Sequence, residues 1–231
     1  MSENATRKQH WVAAWLKPTY SANQYGVYFL GCLIFSLGAC FFIQANLGTD
    51  PLDVFALGVL NHLPLTIGIA QGGFAALMLL IWALWNKKLP IVSPFFTFFF
   101  CGTLIDLGRH YAVVAEVPLS PYPMMLSGVL FCAYGSSLII MSGIGIRAMD
   151  LLAITMVYKW KLPFWVWKTM LEVSLFVSGY LMGGPVGVGS VCFVVFVNLF
   201  IQPLMVLNAK TLNMKNHGLH APGETAGLQP V

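Results

Sequence analysis

Gly48-Thr49-Asp50-Pro51-Leu52-Asp53-Val54-Phe55-Ala56-Leu57-Gly58-Val59-Leu60-Asn61-His62-Leu63-Pro64-Leu65 separates two long apolar runs. The stretch is too short and too polar to cross a bilayer comfortably, yet too apolar for a plain loop. An apolar segment of about 10–14 residues is more often re-entrant, interfacial or a buried half-helix. Local chemistry agrees with a helix that starts inside this stretch. Gly48 lets the chain turn, Asp50 can cap the helix that follows, and Pro51 suits its first turn. Asp53 then falls in the first turn, where the positive end of the helix dipole favours a carboxylate.

On either side the chain is strongly apolar. Hydrophobic residues make up 58% of it and charged residues 9%, too little charge to cover the surface of a soluble domain. Six runs have bilayer-spanning length: 25–47, 66–86, 90–110, 122–143, 163–183 and 186–207. The first, second, fourth and sixth carry no Asp, Glu, Lys or Arg; the third carries Asp106 and Arg109, the fifth Lys168 and Glu172. The fold class expected is therefore an all-α integral membrane protein, about six transmembrane helices plus two short re-entrant or broken ones. The second short element is Gly145–Leu162.

The net charge of +4 comes from basic residues beside the apolar runs, as topogenic signals would be placed. No basic face interleaved with aromatics suggests a nucleic-acid partner. The five cysteines lie inside apolar runs without a C-x-x-C pair, so neither a metal nor a disulfide framework is expected. Residues 1–23 are expected to form a cytoplasmic segment without a cleavable leader, with Trp11 and Trp15 able to anchor an interfacial helix. Residues 209–231, rich in Gly, Pro, His and Asn, are expected to be a disordered cytoplasmic tail.

The two halves of the chain resemble each other. A gapless shift of 97 residues brings Gly31 onto Gly128, Gly38 onto Gly135, Gly48 onto Gly145, Asp53 onto Asp150, Ser93 onto Ser190 and Phe96 onto Phe193. Each half also runs long span, short polar-bearing element, two spans. An internal duplication follows, with residues 24–111 as the first membrane repeat and 120–208 as the second. If the short elements do not cross, Lys17, Lys87, Lys88, Arg147, Lys159, Lys161, Lys210 and Lys215 all fall on the cytoplasmic side, as the positive-inside rule requires. Three spans per repeat is an odd number, so the second repeat enters from the opposite face: an inverted-topology repeat.

Broken helices in equivalent positions of inverted halves are where transporters bind substrate. The candidate substrate-binding residues are thus Asp50, Asp53, Arg147 and Asp150, with Arg147 standing where the first copy has Asp50. Capping of two re-entrant helices explains the same residues without any ligand. Glu172, near the middle of the fifth span, is the candidate proton-coupling carboxyl, and Lys168 one turn earlier its partner. Asp106 and Arg109, three residues apart on one face, are expected to pair with each other. Asn198 and Gln202 are expected to be hydrogen-bonding glue between helices. No H-E-x-x-H or G-x-S-x-G pattern is present, and neither enzymatic activity nor a cofactor is expected.

The segment Leu47–Gly72, LGTDPLDVFALGVLNHLPLTIGIAQG, resembles a motif of the YczE/YyaS/AitT family of bacterial membrane proteins, relatives of the YitT-like group. Gly48, Pro51, Asp53, Thr66 and Gly68 match the first copy of that motif, and Gly145 and Asp150 the second. Leu52 departs from it, standing where the family often has a large aromatic. The resemblance implies the cytoplasmic membrane as location and supplies no substrate. The function expected from the residues is secondary transport or export of a small solute. The alternatives are a membrane accessory protein acting on a partner complex and, third, a channel. The partners are then the lipid bilayer and an unidentified small molecule or ion, with a homodimer compatible with the small-residue faces.

Overall fold

The structure, a computed structural model, describes residues 20–87, 93–144, 148–160, 164–212 and 214, without the side chains of 150, 151, 154, 157, 158, 164, 165 and 168. Among the described residues every regular element is helical: α1 (Ala22–Ala45), α2 (Pro51–Leu60), α3 (Ile67–Asn86), α4 (Ser93–His110), α5 (Pro121–Ser142), α6 (Ala148–Trp160), α7 (Phe164–Leu181) and α8 (Val188–Thr211). Four of them, α1, α3, α5 and α8, are long and apolar enough to cross a membrane. The expected cytoplasmic segment 1–23 and tail 209–231 fall mostly outside the described residues.

The helix ends follow from local chemistry. Ser21 and Gln24 form a reciprocal capping box on α1, which satisfies two amides left open by the helix start. Asn46 closes the same helix in the left-handed conformation. Asp50 caps α2 with Pro51 in the first turn, as the sequence predicts. Inside α8 a π-helical turn, Phe193–Val197, precedes Pro203, both features that bend a helix.

The helices are apolar all round, so amphipathicity does not choose the packed face. Small residues do. On α1 the buried set includes Gly31, Cys32, Ser36, Gly38 and Ala39, while Leu30 and Leu33 are exposed. Lipid tails are as apolar as leucine, so helices in a membrane associate through close van der Waals approach rather than through the hydrophobic effect.

The closest approach joins α1 to α5. A Cβ added to Gly31 would lie 2.9 Å from the Gly135 carbonyl oxygen, and one on Gly38 would lie 2.7 Å from the Cys132 amide nitrogen. A Cβ on Gly128 would meet the Gly38 carbonyl oxygen at 3.1 Å. Between these contacts the Cys132 thiol points to the Phe35 carbonyl oxygen at 3.6 Å. The contacts are reciprocal: Gly31 of α1 faces Gly135 of α5, and Gly38 faces Gly128.

Equivalent packing pairs recur both within and between the halves. α1 packs on α4 and α5 on α8, while α2 packs on α7 and α6 on α3. At the α2–α7 crossing a Cβ on Gly58 would lie 2.8 Å from the Gly179 carbonyl oxygen. At the α6–α3 crossing Trp82 Nε1 donates to Thr155 Oγ1 at 2.7 Å, and these residues stand 97 positions from Gly179 and Gly58. Each short helix therefore rests on a span from the other half of the chain.

Replacing Gly31 or Gly135 by leucine should lower the detergent-solubilised protein's stability by about 1–3 kcal/mol each. Their combination should cost less than the sum, because they share one contact. Gly26, with open space around it, is the control that should tolerate leucine. Thermal unfolding of the four variants measures this.

Candidate functional site

The chain leaves α1 at Asn46 and breaks at Gly48, whose φ of +98° lies in a region that L side chains rarely adopt. A Cβ there would sit 2.5 Å from the Gly187 amide nitrogen and 2.7 Å from Ser190 Oγ. The Gly189 amide donates to the Leu47 carbonyl at 2.7 Å. The break is thus clamped, backbone on backbone, to the start of α8.

Immediately beyond it the chain buries a polar cluster. Thr49, Asp50 and Asp53 are all buried, Asp53 with only 1% of its surface exposed. The Asp53 amide donates to Asp50 Oδ1 at 2.8 Å, the cap the sequence predicts. The Asp53 side chain faces the other way, towards α3. Its Oδ1 accepts 2.6 Å from Gln71 Nε2, and its Oδ2 accepts 3.4 Å from Thr49 Oγ1. Gln71 is itself 3% exposed, and its Oε1 edge abuts Gly102 of α4, where a Cβ would come within 2.9 Å. Asp53 therefore ties the short helix to α3, and α3 needs a glycine on α4 to leave room for the amide.

Asp106 plays a part different from the expected one. Rather than pairing with Arg109, its two carboxylate oxygens accept from the amides of Ile67 at 2.9 Å and Gly68 at 2.8 Å. Thr66 Oγ1 takes the next amide, Ile69, at 3.3 Å. The first-turn amides of α3 have no partners within the helix, and a carboxylate at that end also meets the positive dipole. Arg109 is left exposed.

The other residues singled out by the sequence are distributed as follows. Glu172 is half-buried on α7. Asp150 lies in the first turn of α6 and Lys168 in the first half of α7, but both side chains lie outside the described residues, as does Arg147 altogether. The structure thus brings Asp50 and Asp53 together with two residues that sequence reasoning passed over, Thr49 and Gln71. A single amide in the opening turns of an otherwise apolar span was the one available sign of Gln71. Ser190 is a further such residue: its hydroxyl is buried, has no hydrogen-bond partner, and sits against the break at Gly48. Chemically, the site offers two carboxyls, one carboxamide and hydroxyls. Among the described residues no three His, Cys, Asp or Glu side chains gather as a metal site would require.

Apolar helices long enough to span a bilayer, packed through glycines around a broken element that buries carboxyls, define a multi-pass helical membrane protein. The chain belongs to the family of unknown function DUF6198, whose model matches residues 22–205. It is similar to the uncharacterised membrane protein YczE of Bacillus subtilis, 23% identical over 189 residues, which cover 80% of this chain and 87% of YczE. It is also similar to the uncharacterised protein YyaS of the same organism, 24% identical over 196 residues, or 84% of this chain and 98% of YyaS. An uncharacterised Haemophilus influenzae protein is 22% identical over 179 residues, 73% of this chain and 77% of its own length. No solved structure matches the chain.

Replacing Gln71 by leucine should cost about 1–3 kcal/mol, because it leaves a buried carboxyl oxygen without its donor. Asp106→Ala should cost about 0.5–2 kcal/mol through loss of the cap on α3. Arg109→Ala should be near neutral, which separates capping from ion pairing. Denaturant or thermal unfolding of the three variants reports the order.

Proposed function

We propose that this protein is a secondary transporter or exporter of a small solute in the bacterial cytoplasmic membrane. It is built from two inverted halves of three spans each, with both termini cytoplasmic. The observation that carries this reading is the crossed packing: the short helix of each half rests on a span of the other, α2 on α7 and α6 on α3. The reciprocal glycine contacts of α1 and α5 support a pseudo-two-fold axis between the halves. In such an architecture solute binds where the broken helices meet, and rocking of one half against the other changes the side to which the site opens.

The solute site then draws on Asp50 and Asp53 from the first break and on Arg147 and Asp150 from the second. Coupling to protons falls to a carboxyl inside the membrane. Glu172, with Lys168 beside it in sequence, is the candidate on α7.

The test is flux into liposomes containing the purified protein, against a panel of small solutes, with Asp53→Asn and Asp150→Asn in parallel. We expect at least one solute to move with the parent protein and to stop, or slow at least tenfold, in both variants. If nothing moves and the two variants lose only thermal stability, the carboxyls are helix caps and the protein works through a membrane partner instead.

A further inference from the structure

Asp53 carries a feature that solute binding does not use. Its carboxyl is 1% exposed, and among the described residues its side-chain hydrogen-bond partners are the neutral amide of Gln71 and the neutral hydroxyl of Thr49. A second carboxyl, Asp50, lies in the same turn. An ionised carboxylate is costly away from water, and more so beside another carboxyl.

The ionisable groups on the surrounding elements do not offset that charge by direct contact. On α1 the neighbour is Cys40. On α4 Asp106 is committed to the amides of α3, and Arg109, though within electrostatic reach, is exposed. On α7 Glu172 is half-buried; the side chains of Asp150 on α6 and Lys168 on α7 lie outside the described residues. Between Ile67 and Asn86, α3 contains no ionisable side chain.

The hydrogen bonds also suit a neutral carboxyl. Gln71 Nε2 can only donate, so Oδ1 must be an acceptor. Thr49 Oγ1 can donate or accept, so Oδ2 can carry a proton and donate it to that hydroxyl. Loss of the proton reverses the Thr49 bond and leaves the Gln71 bond in place. Both states are satisfied by the same side chains.

A second, independent observation lies on the other side of the break. Ser190 Oγ, 1% exposed and without a partner, rests against Gly48, the residue before Thr49. It belongs to α8, in the other half of the chain. A buried hydroxyl with nothing to bond is costly.

We propose that Asp53 is a proton-binding site, loaded from the α8 side through the hydroxyls of Ser190 and Thr49 and held in register by Gln71. The inference deepens the transport reading by naming the coupling ion and its carboxyl. In the bound state the proton sits on Oδ2; on release it passes to Thr49 Oγ1 as that hydroxyl gives its own proton to a water bridging to Ser190 Oγ, and that water passes a proton on to the solvent. The relay spans the two halves, so a movement that parts α8 from the break also cuts the path.

Infrared spectroscopy of the reconstituted full-length protein tests this without a transport assay, so failure of one reading is distinguishable from failure of the other. The parent should show the C=O stretch of a protonated carboxylic acid at neutral pH, downshifted in D2O and absent from Asp53→Asn. Thr49→Val should move the band to higher frequency, while Thr49→Ser leaves it near the parent value. Ser190→Ala should keep the band where it is and slow its hydrogen–deuterium exchange at least tenfold. Thr49→Val and Ser190→Ala keep the test decisive should Asp53→Asn fold poorly. A parent without the band, a band that survives in folded Asp53→Asn, or exchange as fast in Ser190→Ala as in the parent would overturn the proposal.

Discussion

The crossing of α1 over α5 is the constraint on which the remaining architecture hangs. Two helices meet there with backbone against backbone, at separations a single added Cβ would destroy. In lipid there is no hydrophobic drive to hold such a pair, so the energy comes from dispersion over closely fitting surfaces and from contacts such as the Cys132 thiol on the Phe35 carbonyl. Because the pair is reciprocal, fixing it also fixes where the chain goes next. Both helices end near the breaks, and each short helix is delivered to the opposite half. The buried cluster at Asp53 follows from that delivery. The α8 segment that clamps Gly48 and the α3 span that supplies Gln71 come from different halves, and both need the central crossing to meet at one place.

Much of the fold was legible in the sequence because it depends on local composition. Of the six expected spans, four are helices long and apolar enough to cross a membrane, and Gly48, Asp50 and Pro51 marked the break and the cap of α2, since turn, cap and first-turn preferences act over a few residues. The spacing of Gly31 and Gly38 marked a packing face, and their matches in Gly128 and Gly135 marked a second. Which glycine meets which was not legible, because it is a property of two helices separated by about a hundred residues. The site was half legible for the same reason. Asp50 and Asp53 stood out as charges in an apolar context, but Gln71 gains its role only from the fold, and Ser190 only from lying against Gly48. Asp106 was misread because its neighbour in sequence, Arg109, offered an obvious partner. The open amides of α3 outcompete it: two directed hydrogen bonds at a positive helix end are worth more than an exposed ion pair.

The two halves are not equally tight, and the difference can be traced to single positions. α3 and α4 approach closely through Gly68, Gly72 and Gly102, whose missing side chains make room for Thr103, Phe99 and Gln71. The positions 97 residues on are Trp165, Thr169 and Leu199, too large for the same fit. Among the described residues α7 accordingly does not share with α8 the extended contact that α3 shares with α4. An apolar groove of about 570 Å³ runs along α7 past Thr169, Val173, Val177 and Leu181. α8 itself carries the π turn and Pro203, both local weaknesses in a helix.

In the proposed cycle the α3–α4 pair, packed closely through Gly68, Gly72 and Gly102, is the frame, and α8, with its π turn and Pro203, is the element that moves. The polar cluster is divided along that line. Asp53 is tied through Gln71 to the frame, whereas its break at Gly48 is clamped by Gly187, Gly189 and Ser190 on the moving side. Any displacement of α8 therefore bears first on Thr49 and the residues around the buried carboxyl, while the bond to Gln71 holds. In the proposed cycle the charge state of Asp53 and the position of α8 are coupled through one short stretch of backbone, the stretch that α8 clamps at Gly48 and that carries Thr49 and Asp53.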